Sequence, residues 1–325
     1  MQLIVLGLNH KTAPVEIRER FNFSQDRTVR VLRRLRNNDN LNEAVLLSTC
    51  NRTELYMVLE DPAAGLHFIR TLLRHLAGEQ YKPDYFYNLT GINCVRHLFK
   101  VASSLDSLII GEGQILSQIK NAYHLSRSCG MTDTLFNTLF NRAIAVGKRV
   151  RTETKIAYSS VSVSSAAVDL AIDVVGDLTK ANILVLGAGR MSELTARHLI
   201  DKGAKTIFVS NRNLSHAQEL AEKFNGTAIP YNEFMHQAIT SDIIITSTGA
   251  PHYVITEQGV RDIIPNRSGK PLILVDIAVP RDVDPLVGDI EGVTLYNIDD
   301  LEGVVDMNKN FRSSEAKVAE AIIDE

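Results

Sequence analysis

The sequence has no apolar run approaching the roughly 18 residues that a membrane-spanning helix needs. Cysteine is scarce as well. Cys50, Cys94 and Cys129 are an odd number without the paired spacing of a zinc site. Neither a disulfide framework nor a metal is expected, and a reducing cytoplasm is. The first residues, Met1-Gln2-Leu3-Ile4-Val5-Leu6, lack the basic region and cleavage site of a secretory signal and read as a strand. What remains is ordinary for a globular protein, with 45% hydrophobic and 22% charged residues. A length of 325 residues predicts two domains with room for an extra element.

Charge is unevenly spread. Residues 1–155 hold 21 Lys and Arg against 14 Asp and Glu, whereas residues 156–325 hold 14 against 24. A polyanion would therefore meet the first half. Arg30, Arg33, Arg34 and Arg36 fall on one predicted helix, where a solvated face is the plainer alternative.

The most informative stretch is Ser48-Thr49-Cys50-Asn51-Arg52-Thr53-Glu54. It lies between the apolar runs Ala44–Leu47 and Leu55–Leu59, a pattern that predicts two strands joined by a polar turn. A cysteine at such a turn is partly open, and a cation such as Arg52 nearby would favour its nucleophilic thiolate. The plainer reading is a small buried hydrophobe. Around it, residues 2–8 read as a strand, Thr28–Arg36 and Leu66–Leu73 as helices, giving a small α+β unit.

From Asn93 to Leu125 the pattern is helical but broken at Asp106–Gly113, and a polar break between helices often carries ligand-binding groups. Ser107 and Glu112 sit in the break. Gln114 and Gln118 share a face beyond it, and His97 lies beside the apolar stripe before it. Leu135–Val150 is a further helix. The small, hydroxylic stretch Ala157–Ser160 marks a boundary, and Val161–Val175 leads on as a helix. The resulting division is 1–156, 157–296 and 297–325.

The second domain opens with the strand Asn182–Leu186, the turn Gly187-Ala188-Gly189-Arg190-Met191-Ser192 and a helix, then a strand at Thr206–Ser210. The first two glycines suit a tight turn and close approach of backbone to a pyrophosphate at a helix N-terminus. The third fingerprint position is Ser192 rather than glycine. After the second strand the chain reads Ser210-Asn211-Arg212, where an NAD site would carry an acidic residue. Arg212 would instead pair with a 2′-phosphate, helped by Ser210 and Asn211, which predicts NADPH. Strands at Ile243–Thr246, Leu272–Val275 and Val293–Tyr296 would complete a Rossmann-type sheet.

A nucleophilic cysteine plus a nicotinamide site suggests thioester formation followed by reduction to an aldehyde. The chain resembles the glutamyl-tRNA reductases in Gly7–Pro14, Ser48–Glu54, His97-Leu98-Phe99, Leu105-Asp106-Ser107, Gly111–Leu116, Gly187-Ala188-Gly189 and Asp276–Arg281. That resemblance implies an α/β multidomain enzyme with an α+β catalytic domain, a Rossmann-type NADP domain and the start of a long connecting helix. It implies Cys50 as nucleophile and His97 as a residue needed for proton transfer or ester orientation. Thr49, Asn51, Arg52, Ser107, Glu112, Gly113, Gln114 and Gln118 would bind the glutamyl group, with Arg52 on its side-chain carboxylate and Glu112 on its α-amino group. Residues 187–192 would hold the cofactor phosphates. The family further implies glutamyl-tRNA as substrate, glutamate-1-semialdehyde as product, its aminotransferase as a partner, and a homodimer.

Three departures stand out. Gly113 replaces a common proline or threonine, Ser192 replaces a glycine, and the family's C-terminal dimerisation domain is not in the sequence. A truncated monomer is one expectation. A shikimate-dehydrogenase-like oxidoreductase and a non-catalytic tRNA-binding relative are the alternatives, and only the first reading requires Cys50.

Overall fold

The computed structural model describes all residues except 78–81, 109, 155, 157–162 and 302–308. The boundary expected at Ala157–Ser160 thus lies outside the described residues. The chain forms two units, Met1–Ser160 with Asn308–Glu325, and Val161–Met307.

The first unit is built on a four-stranded antiparallel sheet of order β2-β3-β1-β4, with β1 Gln2–Asn9, β2 Leu41–Ser48, β3 Arg52–Leu59 and β4 Tyr87–Thr90. Side chains alternate across a strand, so each strand feeds two cores. Ile4, Leu6, Leu46 and Met57 pack with Leu32 and Leu35 of α2 (Gln25–Leu35), Ile17 of α1 (Val15–Arg18) and Ile69 of α3 (Pro62–Ala77). Val5, Val45, Tyr56 and Val58 face the other way, onto Leu98 of α4 (Gly91–Ala102), Ile119 of α5 (Gln114–Ser128) and Phe140 of α6 (Thr134–Glu153). Each fully buried aliphatic contributes roughly 1.5–3 kcal/mol. α2 starts where Ser24 accepts a hydrogen bond from the Arg27 amide, two to three residues before the periodic stretch seen in the sequence. The sequence pattern does not reveal strand β4, because four residues are too few to show alternation.

The second unit is a six-stranded parallel sheet of order β10-β9-β8-β5-β6-β7. Its elements in chain order are α7 (Val163–Val175), β5 (Asn182–Leu186), α8 (Arg190–Asp201), β6 (Thr206–Ser210), α9 (Leu214–Lys223), β7 (Thr227–Ile229), α10 (Phe234–Ala238), β8 (Ile243–Thr246), α11 (Glu257–Ile263), β9 (Leu272–Asp276) and β10 (Val293–Asn297). Near-continuous apolar runs such as Ile243–Ile245 are what a sheet covered on both faces requires. The strand order reverses beside β5, which creates the crevice where such sheets bind ligands.

Helix α12 (Lys309–Asp324) packs with the first unit, burying Ala319 and Ile322 beside Val150. Arg96 and Lys100 of α4 pair with Asp324 at 2.7 Å and Glu320 at 2.8 Å. Among the described residues no helix is long and apolar enough to cross a membrane.

Candidate active site

The β2–β3 turn is a constrained loop. Thr49 Oγ1 accepts hydrogen bonds from the amides of Asn51 (3.2 Å) and Arg52 (3.1 Å), and the Thr49 amide donates to the Arg52 carbonyl (2.8 Å). The His10 amide donates to the Asn51 carbonyl at 3.0 Å, fastening the turn to the end of β1. Cys50 is held half-buried in this loop, whereas Cys94 is fully buried in the core. Asn51 is buried, and its Oδ1 has no hydrogen-bond partner.

The environment of the thiol corrects one expectation. Burial pushes the Cys50 thiol up to about 12, and the Glu112 carboxylate pushes it the same way. The cation that favours the thiolate is Arg18 of α1, not Arg52. Glu112 is itself raised above the ordinary carboxylate range by burial.

Arg52 is turned into the sheet. Alternation along β3 puts Arg52, Glu54 and Tyr56 on one face, where Glu54 is completely buried. Glu54 Oε1 accepts from Arg52 Nη1 and from the Tyr87 hydroxyl, each at 2.5 Å, and lies 2.9 Å from His97 Nε2. Its Oε2 accepts from the Tyr56 hydroxyl at 2.5 Å. Burial opposes the charge on Glu54, but Arg52 and His97 outweigh it and hold the carboxyl well below the usual range. Gly7 on β1 sits opposite. A Cβ there would come within 2.8 Å of Glu54 Cγ and 3.0 Å of the Tyr87 ring, so only glycine lets the network close.

Arg52 also reaches the break between α4 and α5. Both its terminal nitrogens lie 3.1 Å from Asp106 Oδ2, and Nη2 donates to the Asp106 carbonyl. The guanidinium side chain is 1% exposed and is paired with both Glu54 and Asp106. Asp106, 18% exposed, is also held by Lys11 at 2.5 Å. His10, packed near these cations, is lowered to about 4 by burial and then by Arg52, and is neutral at pH 7.

The remaining predicted pocket residues, in the break and in α5, are half-buried: Ser107, Glu112, Gly113, Gln114 and Gln118. Ser104 Oγ donates to the Glu112 carbonyl at 2.7 Å, and Arg151 donates to the Gly113 carbonyl at 3.2 Å. That second bond tethers the loop at Gly113. Gln118 separates from the others: it opens onto a groove between α2 and α5. A larger cavity of about 1120 Å³, near Leu3, Phe99 and Arg142, contains none of the predicted site residues.

In the second unit, Gly187, Ser210, Asn211 and Arg212 line a cleft of about 240 Å³ with Thr248 and Gly249. Gly187 has φ +111, and a Cβ there would lie 2.9 Å from the Ser247 carbonyl. Gly189 caps α8 and has open space where a Cβ would be, so backbone amides at the helix start are accessible. Ser192 is buried and bonds Ser247 Oγ at 2.7 Å, which is how a serine fits a glycine position here. Ala188, Arg190 and Met191 complete the turn into α8. Ser210 is 1% exposed with its hydroxyl unpartnered, and Arg212 is exposed and contacts His252 at 3.3 Å. These features fit a nucleotide cofactor: a polar atom awaiting a partner, a glycine that admits close approach, and a cation at the strand end. Nearby, Asp276 is pushed up to about 7 by burial while accepting four hydrogen bonds, from Thr246, Ala278, Asp282 and Val283.

The sequence pointed to Cys50, His97 and the Gly187 turn but not to Glu54's role, Tyr87, Asp106 or Arg18. Glu54 was readable: a charged residue at an inward position of an apolar strand needs a partner. Its partners outside β3, Tyr87 and His97, come from β4 and α4, far away in sequence.

Residues 6–154 match the family model described as glutamyl-tRNAGlu reductase, N-terminal domain, and residues 169–304 match the model for shikimate / quinate 5-dehydrogenase. The chain is 46% identical to the glutamyl-tRNA reductase of Trichlorobacter lovleyi and 45% to that of Geobacter sulfurreducens, covering 100% of this chain and 75% of each relative. A solved glutamyl-tRNA reductase from Methanopyrus kandleri is similar at 36% identity with a TM-score of 0.51, over 99% of this chain and 77% of that one.

Proposed function

The chain belongs to the glutamyl-tRNA reductase family, and from that premise we propose how its own residues carry the reaction. The reaction is reduction of glutamyl-tRNA to glutamate-1-semialdehyde, the first step of tetrapyrrole synthesis. The observation that carries the reading is the half-buried Cys50, held in a constrained turn beside Glu112 and two residues from the Arg52–Glu54–His97 network.

The Cys50 sulfur attacks the carbonyl carbon of the glutamyl ester. A carbon–sulfur bond forms, the ester carbon–oxygen bond breaks, and the thiol proton ends on the departing ribose oxygen. Because the resting thiol is protonated, that proton has to leave as the ester arrives. The neighbouring Glu112, its own carboxyl raised by burial, is suited to take the proton or the substrate's α-amino charge. Thr49 and Asn51 place the acyl group, and the unpartnered Asn51 Oδ1 is an acceptor for its amino group. The substrate's side-chain carboxylate reaches Arg52 by displacing Asp106, and bidentate geometry selects it. His97, fixed by Glu54, orients the ester and handles its proton. Ser107, Gly113 and Gln114 shape the rest of the pocket.

The second unit takes a nicotinamide cofactor. When bound, it supplies the hydride that turns the acyl group into an aldehyde. We read it as NADPH, because Arg212, Ser210 and Asn211 line the cleft at the end of β6 and no carboxylate is among its lining residues. Gly187, Ala188, Gly189, Arg190, Met191 and Ser192 would hold the phosphates. We further place the protein in the cytoplasm, as a homodimer, with the aminotransferase that consumes the aldehyde as its partner.

Incubation with glutamyl-tRNA without NADPH, followed by peptide mass spectrometry, tests the scheme. A glutamyl adduct on Cys50 is expected, and Cys50→Ser abolishes it while retaining tRNA binding. An unmodified Cys50 with both glutamyl-tRNA and a small glutamate ester would overturn it.

A further inference from the structure

Two loops of the second unit meet at the cofactor cleft. One follows β6 and carries Arg212; the other follows β8 and carries His252. Arg212 Nη2 and His252 Nε2 lie 3.3 Å apart, although 40 residues separate them in sequence. Both side chains are exposed. Arg212 lines the cleft together with Thr248, Gly249 and Ala250, the residues that lead to His252. No carboxylate is among the lining residues, and the hydroxyl of Ser210, a residue 1% exposed, has no partner there.

The loop that carries His252 is fastened. Asp282 accepts from the Thr248 amide at 2.7 Å and from the Thr248 hydroxyl, and Thr248 Oγ1 in turn accepts from the Ala250 amide at 3.1 Å. Asp282 is itself fixed, its amide donating to Asp276 at 2.8 Å. Burial raises the Asp282 carboxyl, the Thr248 bonds oppose that, and Arg212 and His252 act in the same direction as Thr248. The imidazole therefore faces Arg212 from the β6 end and Asp282 from the loop after β9.

A guanidinium has donors and no acceptor, so in this contact Nε2 accepts and the imidazole is neutral. A proton on Nε2 would set two cations and two donors against each other. A bound oxyanion reverses that: it accepts from both groups, and its charge favours protonation of the ring. Imidazoles change charge between about pH 5 and 8, so the proton is available near neutrality. NADPH carries such an oxyanion in its 2′-phosphate, and NADH has a hydroxyl there instead. Resting on the reading of the cofactor as NADPH, we propose that His252 is a second ligand of the 2′-phosphate beside Arg212 and takes up a proton from water when NADPH binds. The Asp282–Thr248 bonds hold its loop in place.

The test is isothermal titration of NADPH and of NADH into wild type, His252→Gln and Arg212→Ala at pH 6.5 and pH 8.5. Glutamine keeps a donor but cannot take the charge. His252→Gln is expected to weaken NADPH binding about three- to tenfold at pH 6.5, as loss of one charge-assisted bond at an exposed site would, and to bind it like wild type at pH 8.5. The sign follows from the imidazole, whose charge is present at low pH and lost as pH rises. The phosphate's own titration, at about pH 6, is common to both proteins and cancels in the ratio of their affinities. Titration at pH 7 in two buffers of different ionisation enthalpy should show more protons taken up per NADPH by wild type than by His252→Gln. NADH binding by His252→Gln should match wild type, which also shows that the variant is folded. A His252→Gln variant that binds NADPH like wild type at pH 6.5, or that loses both nucleotides equally, overturns the second ligand. Arg212→Ala separates this from the reading beneath it: selective loss of NADPH there leaves the NADPH reading standing, whereas equal loss of both nucleotides would strike that reading and the proposal with it.

Discussion

His97 Nε2 lies 2.9 Å from Glu54 Oε1, although 43 residues separate them. The helix that carries the histidine and the strand that carries the carboxylate meet through a side chain with no access to water. Glu54 also takes Arg52, Tyr56 and Tyr87, so one buried carboxylate fixes the positions of two residues assigned to the chemistry.

Glu54→Gln removes the fully buried one of the two carboxylates that balance Arg52. Breaking a buried pair on one side costs about 3–5 kcal/mol, so a fall of that size in the unfolding free energy from urea titration is expected, together with loss of aldehyde formation. The wild type has a matching pH signature. Glu54 titrates below its unfolded value, so its contribution is complete above the ordinary carboxylate range and is lost as pH falls through and below it. Urea midpoints from pH 7 to pH 3 should show this loss, and the variant should show less of it.

Gly7→Ala places a methyl group 2.8 Å from Glu54 Cγ. Overpacking of this kind costs about 1–3 kcal/mol. The measurement is thermal unfolding together with kcat, which should fall because His97 and Arg52 shift with Glu54. An unchanged kcat would mean that the network is structural only.

Alkylation of Cys50 by iodoacetamide should be slow at pH 7 and should rise steadily through pH 10 without a plateau, because burial and Glu112 hold the thiol at about 12. Glu112→Gln removes one of those causes. It is expected to speed alkylation at pH 8 by roughly three- to tenfold, equivalent to half to one unit of pKa. A slower rate in the variant would show that Glu112 activates the free thiol.

Arg212→Ala should weaken NADPH binding by roughly ten- to a hundredfold, as loss of a charge-assisted phosphate contact would, while NADH binding changes little. Isothermal titration with both nucleotides decides this. Equal loss for both would place Arg212 on a part of the cofactor that they share.

The longer strands and helices, the glycine turn after β5 and the Cys50 turn were legible in the sequence, because periodicity and turn chemistry are local, whereas β4 and β7 are too short to show alternation. In the structure, alternation along β3 puts Arg52, Glu54 and Tyr56 on one face. Their partners were not legible. Asp106, Tyr87, His97 and Arg18 arrive from other elements, and only folding places them against β3 and its turn. That placement reversed the expected influence on Cys50: proximity in sequence suggested Arg52, whereas burial and Glu112 dominate and Arg52 points into the sheet. A side chain's pKa depends on what surrounds it in three dimensions. The sequence by itself determined which groups are available; the tertiary structure decided which of them meet, because burial and Coulomb forces act through space rather than along the chain.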